Sequence, residues 1–148
     1  RANNDEDITI NWTINNDILY SLLCIAFFAD EEIDESEKDI IFDSYKTFIP
    51  NLNNENFNHD FGLTTSKFID LKTEELRQKQ FDDSLVKIKE ELNIENIKKL
   101  VDCYVNIANA DDFIHEKEVS LIKHAIEVWD LELKIDKPKS GKKLEIKK

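Results

Sequence analysis

The stretch "ILYSLLCIAFFADEEIDESE" (residues 18–37) decides the fold of this chain. Its first twelve residues are apolar apart from Ser21, so a helix built from them is apolar on nearly every side. Such a helix belongs at the centre of a bundle. The apolar run stops at Asp30 and is shorter than the roughly 18 to 20 residues that a bilayer-spanning helix needs. The sequence therefore predicts a buried helix followed by an acidic turn, and no transmembrane segment.

The same pattern returns 81 residues later in the chain. "ADEEIDESE" (29–37) is matched by "ADDFIHEKE" (110–118), and at this offset Leu19 falls on Leu100 and Phe48 on Trp129. Each unit consists of an apolar helix, an acidic turn and an amphipathic helix. The sequence therefore predicts an internal pseudo-twofold repeat of helix-turn-helix units, at residues 16–49 and 95–131.

The segment between the units, residues 50–94, gives a mixed pattern. "PNLNNENFNHDFGL" (50–63) is dense in Asn and contains Pro and Gly, which predicts an irregular loop. Thr64 or Thr65 is predicted to cap a short helix, and "TEEL" from Thr73 predicts the start of a longer one. Whether these form one helix or two stays open. Outside the units, residues 1–15 are predicted to be an N-terminal extension and residues 132–148 a basic flexible tail or linker.

Composition supports a helical fold. Two Gly and two Pro in 148 residues are too few for many tight turns, while Glu, Lys, Leu, Ile and Ala favour helix. A chain of this length builds about one domain. We therefore predict an all-α, single-domain bundle of about six to eight helices.

The charge of the chain is unevenly distributed. Residues 134–148 contain seven lysines and two acidic residues, a balance of +5. Because the net charge of the whole chain is −12, residues 1–133 carry −17. A body this acidic repels phosphate backbones, which argues against nucleic acid as the main partner.

Capping explains part of the two acidic hinges, which we define as residues 30–37 and 111–118. In "DESE", Asp34 can accept hydrogen bonds from the next helix while Glu37, at the third helical position, reaches back. "HEKE" places His115 and Glu118 likewise. Capping leaves Asp30 and Asp111 unexplained, because each follows a helix C-terminus, where the helix dipole disfavours negative charge.

Two cation sites are alternatives to capping alone. An EF-hand loop matches at three positions but fails upstream, where Ala26 and Phe28 would have to supply ligand oxygens. A site shared by both hinges remains, because pseudo-twofold packing could bring the two turns together and a cation would relieve the repulsion of their carboxylates. Its ligands would be Asp30, Glu37, Asp111 and Glu118, with Glu32, Asp34, Asp112 and His115 as additional candidates. Oxygen ligands favour Ca²⁺, Mg²⁺ or Mn²⁺, while His115 keeps Zn²⁺ as a less favoured option. Capping with a solvated acidic face and the shared cation site both stay open.

The hinge motifs resemble those of TerB-like domains, found in tellurite-resistance proteins and in the N-terminal region of the co-chaperone DjlA. Asp30, Ile33 and Glu37 match the family motif Ala-Asp-Gly-Glu-Ile-x-x-x-Glu, as do their counterparts in the second hinge. The family glycine is replaced by Glu31 and by Asp112. The resemblance covers about residues 16–131. It implies a bacterial, cytoplasmic, non-enzymatic stress-response scaffold that binds metal ions and protein partners, including partners at the inner membrane.

The sequence offers little material for catalysis. It contains no glycine-rich phosphate loop, no Cys-x-x-Cys and no Glu-x-x-His pair, and Cys24 and Cys103 lie in apolar helical patterns that predict buried thiols. His124 is predicted to be an ordinary helix surface or boundary residue. The favoured interpretation is a domain whose acidic face binds a protein partner and a divalent cation. The alternatives are a structural or regulatory module of a larger protein without metal and, less favoured, a metal-dependent hydrolase.

Overall fold

A computed structural model describes residues 12–28, 37–110, 114–136 and 143–147. Over these residues the chain is mostly helical, which confirms the all-α prediction. The described elements are α1 (Ile14–Phe27), α2 (Lys38–Lys46), α3 (Asn54–Asp70), α4 (Glu74–Glu91), α5 (Ile94–Asn109), α6 (Glu116–Val128), β1 (Lys134–Asp136) and β2 (Glu145–Lys147).

Helix α1 is the axis of the bundle, as its apolar sequence predicts. Eleven of its 14 residues are buried, and it contacts each of the other five described helices. Its start is fixed by Thr13, whose hydroxyl accepts a hydrogen bond from the Asn15 amide at 3.2 Å. Each fully buried Leu or Ile on α1 stabilises the fold by about 1.5–3 kcal/mol.

Helix α3 corrects the prediction for residues 50–63. The Asn-rich stretch is helical from Asn54 onward, and the side chain of Asn53 accepts from the Asn56 amide at 2.8 Å as its cap. A stripe of side chains at helical spacing explains the difference, because burying three phenylalanines outweighs the low helix propensity of asparagine. The buried stripe consists of Phe57, Phe61, Thr64 and Phe68. Thr64 and Thr65 therefore lie inside α3 rather than at its cap.

Helix α4 begins as predicted. The Thr73 hydroxyl accepts from the Leu76 amide at 3.1 Å, and residues 71–73 separate α3 from α4, so the segment forms two helices. Phe81, Leu85 and Ile88 recur at helical spacing and are buried. Leu76, in the first turn, is 46% exposed.

Helices α5 and α6 complete the described bundle. The apolar stripe of α5 is buried from Ile97 to Ala108, and the apolar stripe of α6 ends at the buried Trp129. The Trp129 indole N–H donates to the Leu85 carbonyl at 2.9 Å, and its ring stacks on Tyr104 with 5.9 Å between centroids. These contacts tie the end of α6 to both α4 and α5.

The ends of the domain differ from the predicted boundaries. Strands β1 and β2 pair antiparallel, with Ile135 opposite Ile146, so these two parts of the tail form regular structure instead of a flexible linker. Asn109 at the end of α5 donates to the Leu144 carbonyl at 3.1 Å and accepts from the Leu144 amide at 2.7 Å, which attaches the strands to the bundle. At the other end Trp12 already packs against the core, so the folded unit begins before residue 16.

None of the helices in the described part of the chain combines the length and apolarity needed to cross a bilayer.

Candidate functional site

Five of the eight predicted hinge ligands lie outside the described residues: Asp30, Glu32, Asp34, Asp111 and Asp112. The structure describes Glu37, His115 and Glu118. Within the described ranges, no group of three or more His, Cys, Asp or Glu side chains converges closely enough to hold a metal ion.

The end of the second hinge has the predicted capping arrangement. The His115 backbone amide donates to the Glu118 Oε1 atom at 3.0 Å, and His115 directly precedes α6. Only 7% of the Glu118 surface is exposed. The third residue of the helix therefore reaches back to the residue before it, as a capping box requires.

The predicted capping at the end of the first hinge involves residues that the structure does not describe. Helix α2 begins at Lys38, and Asp34, toward which Glu37 is predicted to reach, lies outside the described residues, so this capping stays a prediction.

Phe28, the residue after the end of α1, contacts Lys117 near the end of the second hinge. The Lys117 Nζ atom lies over the Phe28 ring, 4.6 Å from its centroid, and 4.0 Å from Glu74 Oε1. The Phe28 carbonyl accepts from Arg77 Nη1 at 3.0 Å. Since Phe28 precedes Asp30 by two residues and Lys117 directly precedes Glu118, described flanks of both hinges meet at one end of α1.

A groove lies toward the opposite end of α1, between α3 and α4. Its volume is about 740 Å³. Trp12, Leu63 and Val86 contribute apolar surface, and the exposed fraction of Val86 is 49%. The buried Asp17 carboxyl also lines it. A groove of this size that combines apolar surface with a buried polar group is typical of a binding site.

Asp17 is held by residues from two other parts of the chain. Its Oδ1 atom accepts from the Trp12 indole N–H at 3.1 Å and from the Ser84 hydroxyl at 2.8 Å. Burial raises the pKa of the Asp17 carboxyl, and these two hydrogen bonds offset part of that rise. Sequence reasoning missed this residue because an Asp in the first turn of a helix is typical of ordinary dipole stabilisation.

A second buried polar contact fixes α1 against α3 beside the groove. The Asn16 side-chain amide donates to the Thr64 hydroxyl at 3.1 Å, and this hydroxyl donates to the Asp60 carbonyl at 2.8 Å. Asn16 and Thr64 are both buried and both hydrogen-bonded, as buried polar groups require. These bonds hold α3, which forms one wall of the groove, against α1.

His124 has a partner that the sequence does not indicate. Its Nε2 atom lies 2.7 Å from Asp82 Oδ1, which also accepts from Gln78 Nε2 at 3.1 Å. The two side chains of the pair are 41% and 44% exposed, so solvent screens their interaction. This pair joins α4 to α6.

The two cysteines are free and buried, as predicted. Burial raises the pKa of both thiols, Cys24 and Cys103, which keeps them in the unreactive protonated form at neutral pH. Neither thiol is suited to act as a nucleophile.

Comparison with known proteins does not assign the chain to a group. No family model, no curated protein and no solved structure matches it.

Proposed function

We propose that this chain is a non-enzymatic binding domain of the TerB-like kind, in which the two acidic hinges together hold a divalent cation and the acidic surface engages a protein partner. The resemblance of the duplicated hinge motifs supports this proposal. It also favours a cytoplasmic location and partners at the inner membrane. Under the same proposal the two helix-turn-helix units are related by a pseudo-twofold axis.

The observation that carries the proposal is the contact of Lys117 with Phe28. A shared cation site requires the hinges to meet, and this contact joins the residue before Glu118 to the residue two positions before Asp30. Ca²⁺ and Mg²⁺ prefer carboxylate oxygens, and the two hinges supply Asp30, Glu37, Asp111 and Glu118 as candidates.

The capping bond of Glu118 supports the alternative of a structural module without metal. Its Oε1 atom already accepts from the His115 amide, a role that requires no ion. The cation site requires the carboxylates of Asp30 and Asp111, whereas capping uses neither residue.

Thermal unfolding with EDTA and with added Ca²⁺, Mg²⁺, Mn²⁺ or Zn²⁺ tests the proposal. An ion that binds only the folded chain adds about 2.7 kcal/mol at one hundred times its Kd, so the melting temperature should rise. The double variant Asp30→Asn, Asp111→Asn should lose this rise.

The matched control is the double variant Asp43→Asn, Asp102→Asn, which removes the same charge from exposed positions on α2 and α5. It should keep the ion-dependent rise. A melting temperature that no ion changes would leave the capping alternative, and an equal loss in both double variants would reduce the effect to general charge screening.

A further inference from the structure

The carboxyl of Asp17 offers one oxygen atom to the groove between α3 and α4. Only 7% of the residue is exposed, and both of its side-chain hydrogen bonds are received by Oδ1. Among the described residues none donates to Oδ2, and this atom is not sealed from solvent. A ligand cation that donates to Oδ2 would form a charge-assisted hydrogen bond with a carboxylate that is largely buried, where such bonds are strong.

The charges around the groove select a cation. Asp70, Asp83 and Glu90 line it together with Lys67 and Lys87, and Asp83 pairs with Lys79 at 3.2 Å, so with Asp17 four acidic groups face three basic ones. The body of the chain is also strongly acidic, which raises the local concentration of cations and disfavours anions.

The walls select a ligand with an apolar stem. Leu63 and Val86 provide aliphatic surface, and the half-buried indole of Trp12 lies at the Asp17 end. A ligand with a cationic head and an aliphatic stem would place the head at Asp17 and the stem along these side chains. Indole faces also attract ammonium groups.

The single available oxygen distinguishes between cations. A guanidinium binds a carboxylate best through two parallel hydrogen bonds, which needs both oxygens. Ca²⁺ needs six or more oxygen ligands. An ammonium is a compact charge with three rotatable donors and can bind Oδ2 through one of them.

We propose that the groove between α3 and α4 is the docking site for a lysine side chain of a protein partner, with its ammonium bound to Asp17 Oδ2. This deepens the proposed function, since it rests on the chain being a protein-binding domain. It names the chemistry of the partner: an exposed, basic segment. The cation site proposed for the hinges does not include any residue of this groove.

A titration of the ¹⁵N-labelled full chain followed by NMR tests the inference. The probe is N-acetyl-lysine methylamide, and the matched probe is N-acetyl-norleucine methylamide, which has the same linear stem without the charge. We expect saturable shifts of the Trp12 indole N–H and the Val86 amide with the lysine probe, and at least tenfold weaker binding of the norleucine probe.

Asp17→Asn is the decisive variant. The Asn amide oxygen can still accept from Trp12 and Ser84, while the nitrogen at the Oδ2 position repels an ammonium. Affinity for the lysine probe should fall at least tenfold. Asp102→Asn, an exposed change on α5 outside the groove, should leave the affinity unchanged.

Val86→Arg is a second variant that tests the inference even if Asp17→Asn does not fold. Val86 is exposed, so the substitution is tolerated by the core, and it places a like charge in the groove. It should also abolish the shifts.

Four results would overturn the inference: no saturable shift with the lysine probe, equal binding of the norleucine probe, tighter binding of an arginine probe, or full affinity in both groove variants. Nuclear Overhauser contacts of the Trp12 ring with residues 1–11 in the ligand-free chain would also overturn it, because the groove would then hold the chain's own segment. Ion-dependent melting that requires Asp30 and Asp111 would survive any of these results, so the two proposals can fail separately.

Discussion

Helices α1 and α5 correspond in the sequence pattern yet differ in their surroundings. At the offset of 81 residues, the buried residues Ile18, Ser21 and Ile25 of α1 fall on the exposed Lys99, Asp102 and Asn106 of α5. Asp17 likewise falls on the exposed Lys98. One face of α1 is therefore covered where the same face of α5 meets solvent.

Helices α3 and α4 cause this difference. Both come from the segment between the two units, and both pack against α1. A helix covered on every side must be apolar all round or satisfy its polar groups, which is why Asn16 and Asp17 are hydrogen-bonded to Thr64 and Ser84. The walls of the groove belong to α3 and α4, so the groove lies beside α1 and not beside α5.

The largest effect should come from truncating the covered face. Ile25→Ala removes a fully buried side chain and leaves a cavity, so we expect a loss of about 2–5 kcal/mol of unfolding free energy. The matched change Asn106→Ala on α5 should stay within about 0.5 kcal/mol. Urea unfolding of both variants measures the difference. Similar losses would show that the two faces are covered alike.

A smaller effect concerns Asp17 and pH. Burial raises the pKa of Asp17 above its ordinary value of 3.8, so the folded chain retains a proton that the unfolded chain has already released. Stability contributed by this group is therefore fully present below about pH 3.8 and is lost as the pH rises through the raised value in the folded state. The unfolding free energy of the wild type relative to Asp17→Asn should fall across this window.

Chemical denaturation of both proteins at a series of pH values measures this difference. Lys98→Gln, at the corresponding position of α5, is the control, because it removes no carboxyl group and cannot alter proton uptake by Asp17. Parallel stability curves for the wild type and Asp17→Asn would contradict the assignment of a buried carboxyl to α1.

The smallest effect should come from the pair of His124 and Asp82. The pair joins α6 to α4. At the offset of 81 residues, His124 corresponds to Asp43 of α2, which is exposed. Because both partners are over 40% exposed, His124→Gln should cost less than about 1 kcal/mol, and added salt should reduce the loss. Lys79→Gln, which breaks the more exposed pair with Asp83 within α4, should cost still less. A loss above about 2 kcal/mol for His124→Gln would mean that the pair holds the two helices together.

The fold could be predicted where one pattern dominated locally. The apolar run of α1, the Thr73 cap of α4 and the stripes of α5 and α6 each depend on neighbouring residues, and each is confirmed. Helix α3 was missed because its asparagines and glycine favour a loop locally, while the energy that makes it helical comes from packing Phe57, Phe61 and Phe68 against other helices. The paired strands of the tail were missed for the same reason.

The two candidate sites also differ in whether the sequence alone can reveal them. The acidic hinges are contiguous in sequence, so their motifs can be recognised without coordinates. Asp17 and the groove cannot, because Trp12, Ser84 and Val86 are brought to Asp17 only by the packing of α4 on α1. The partner of His124 is likewise 42 residues away along the chain.

The sequence by itself determined that this chain is helical, strongly acidic and built around one apolar helix, because hydrophobic periodicity, charge and composition are properties of neighbouring residues. Only the tertiary structure decided that α1 is covered on the face where α5 is exposed, that Asp17 lies buried at a groove, and that flanks of the two hinges meet. Those features depend on free energy gained between residues distant in sequence, which no local pattern records.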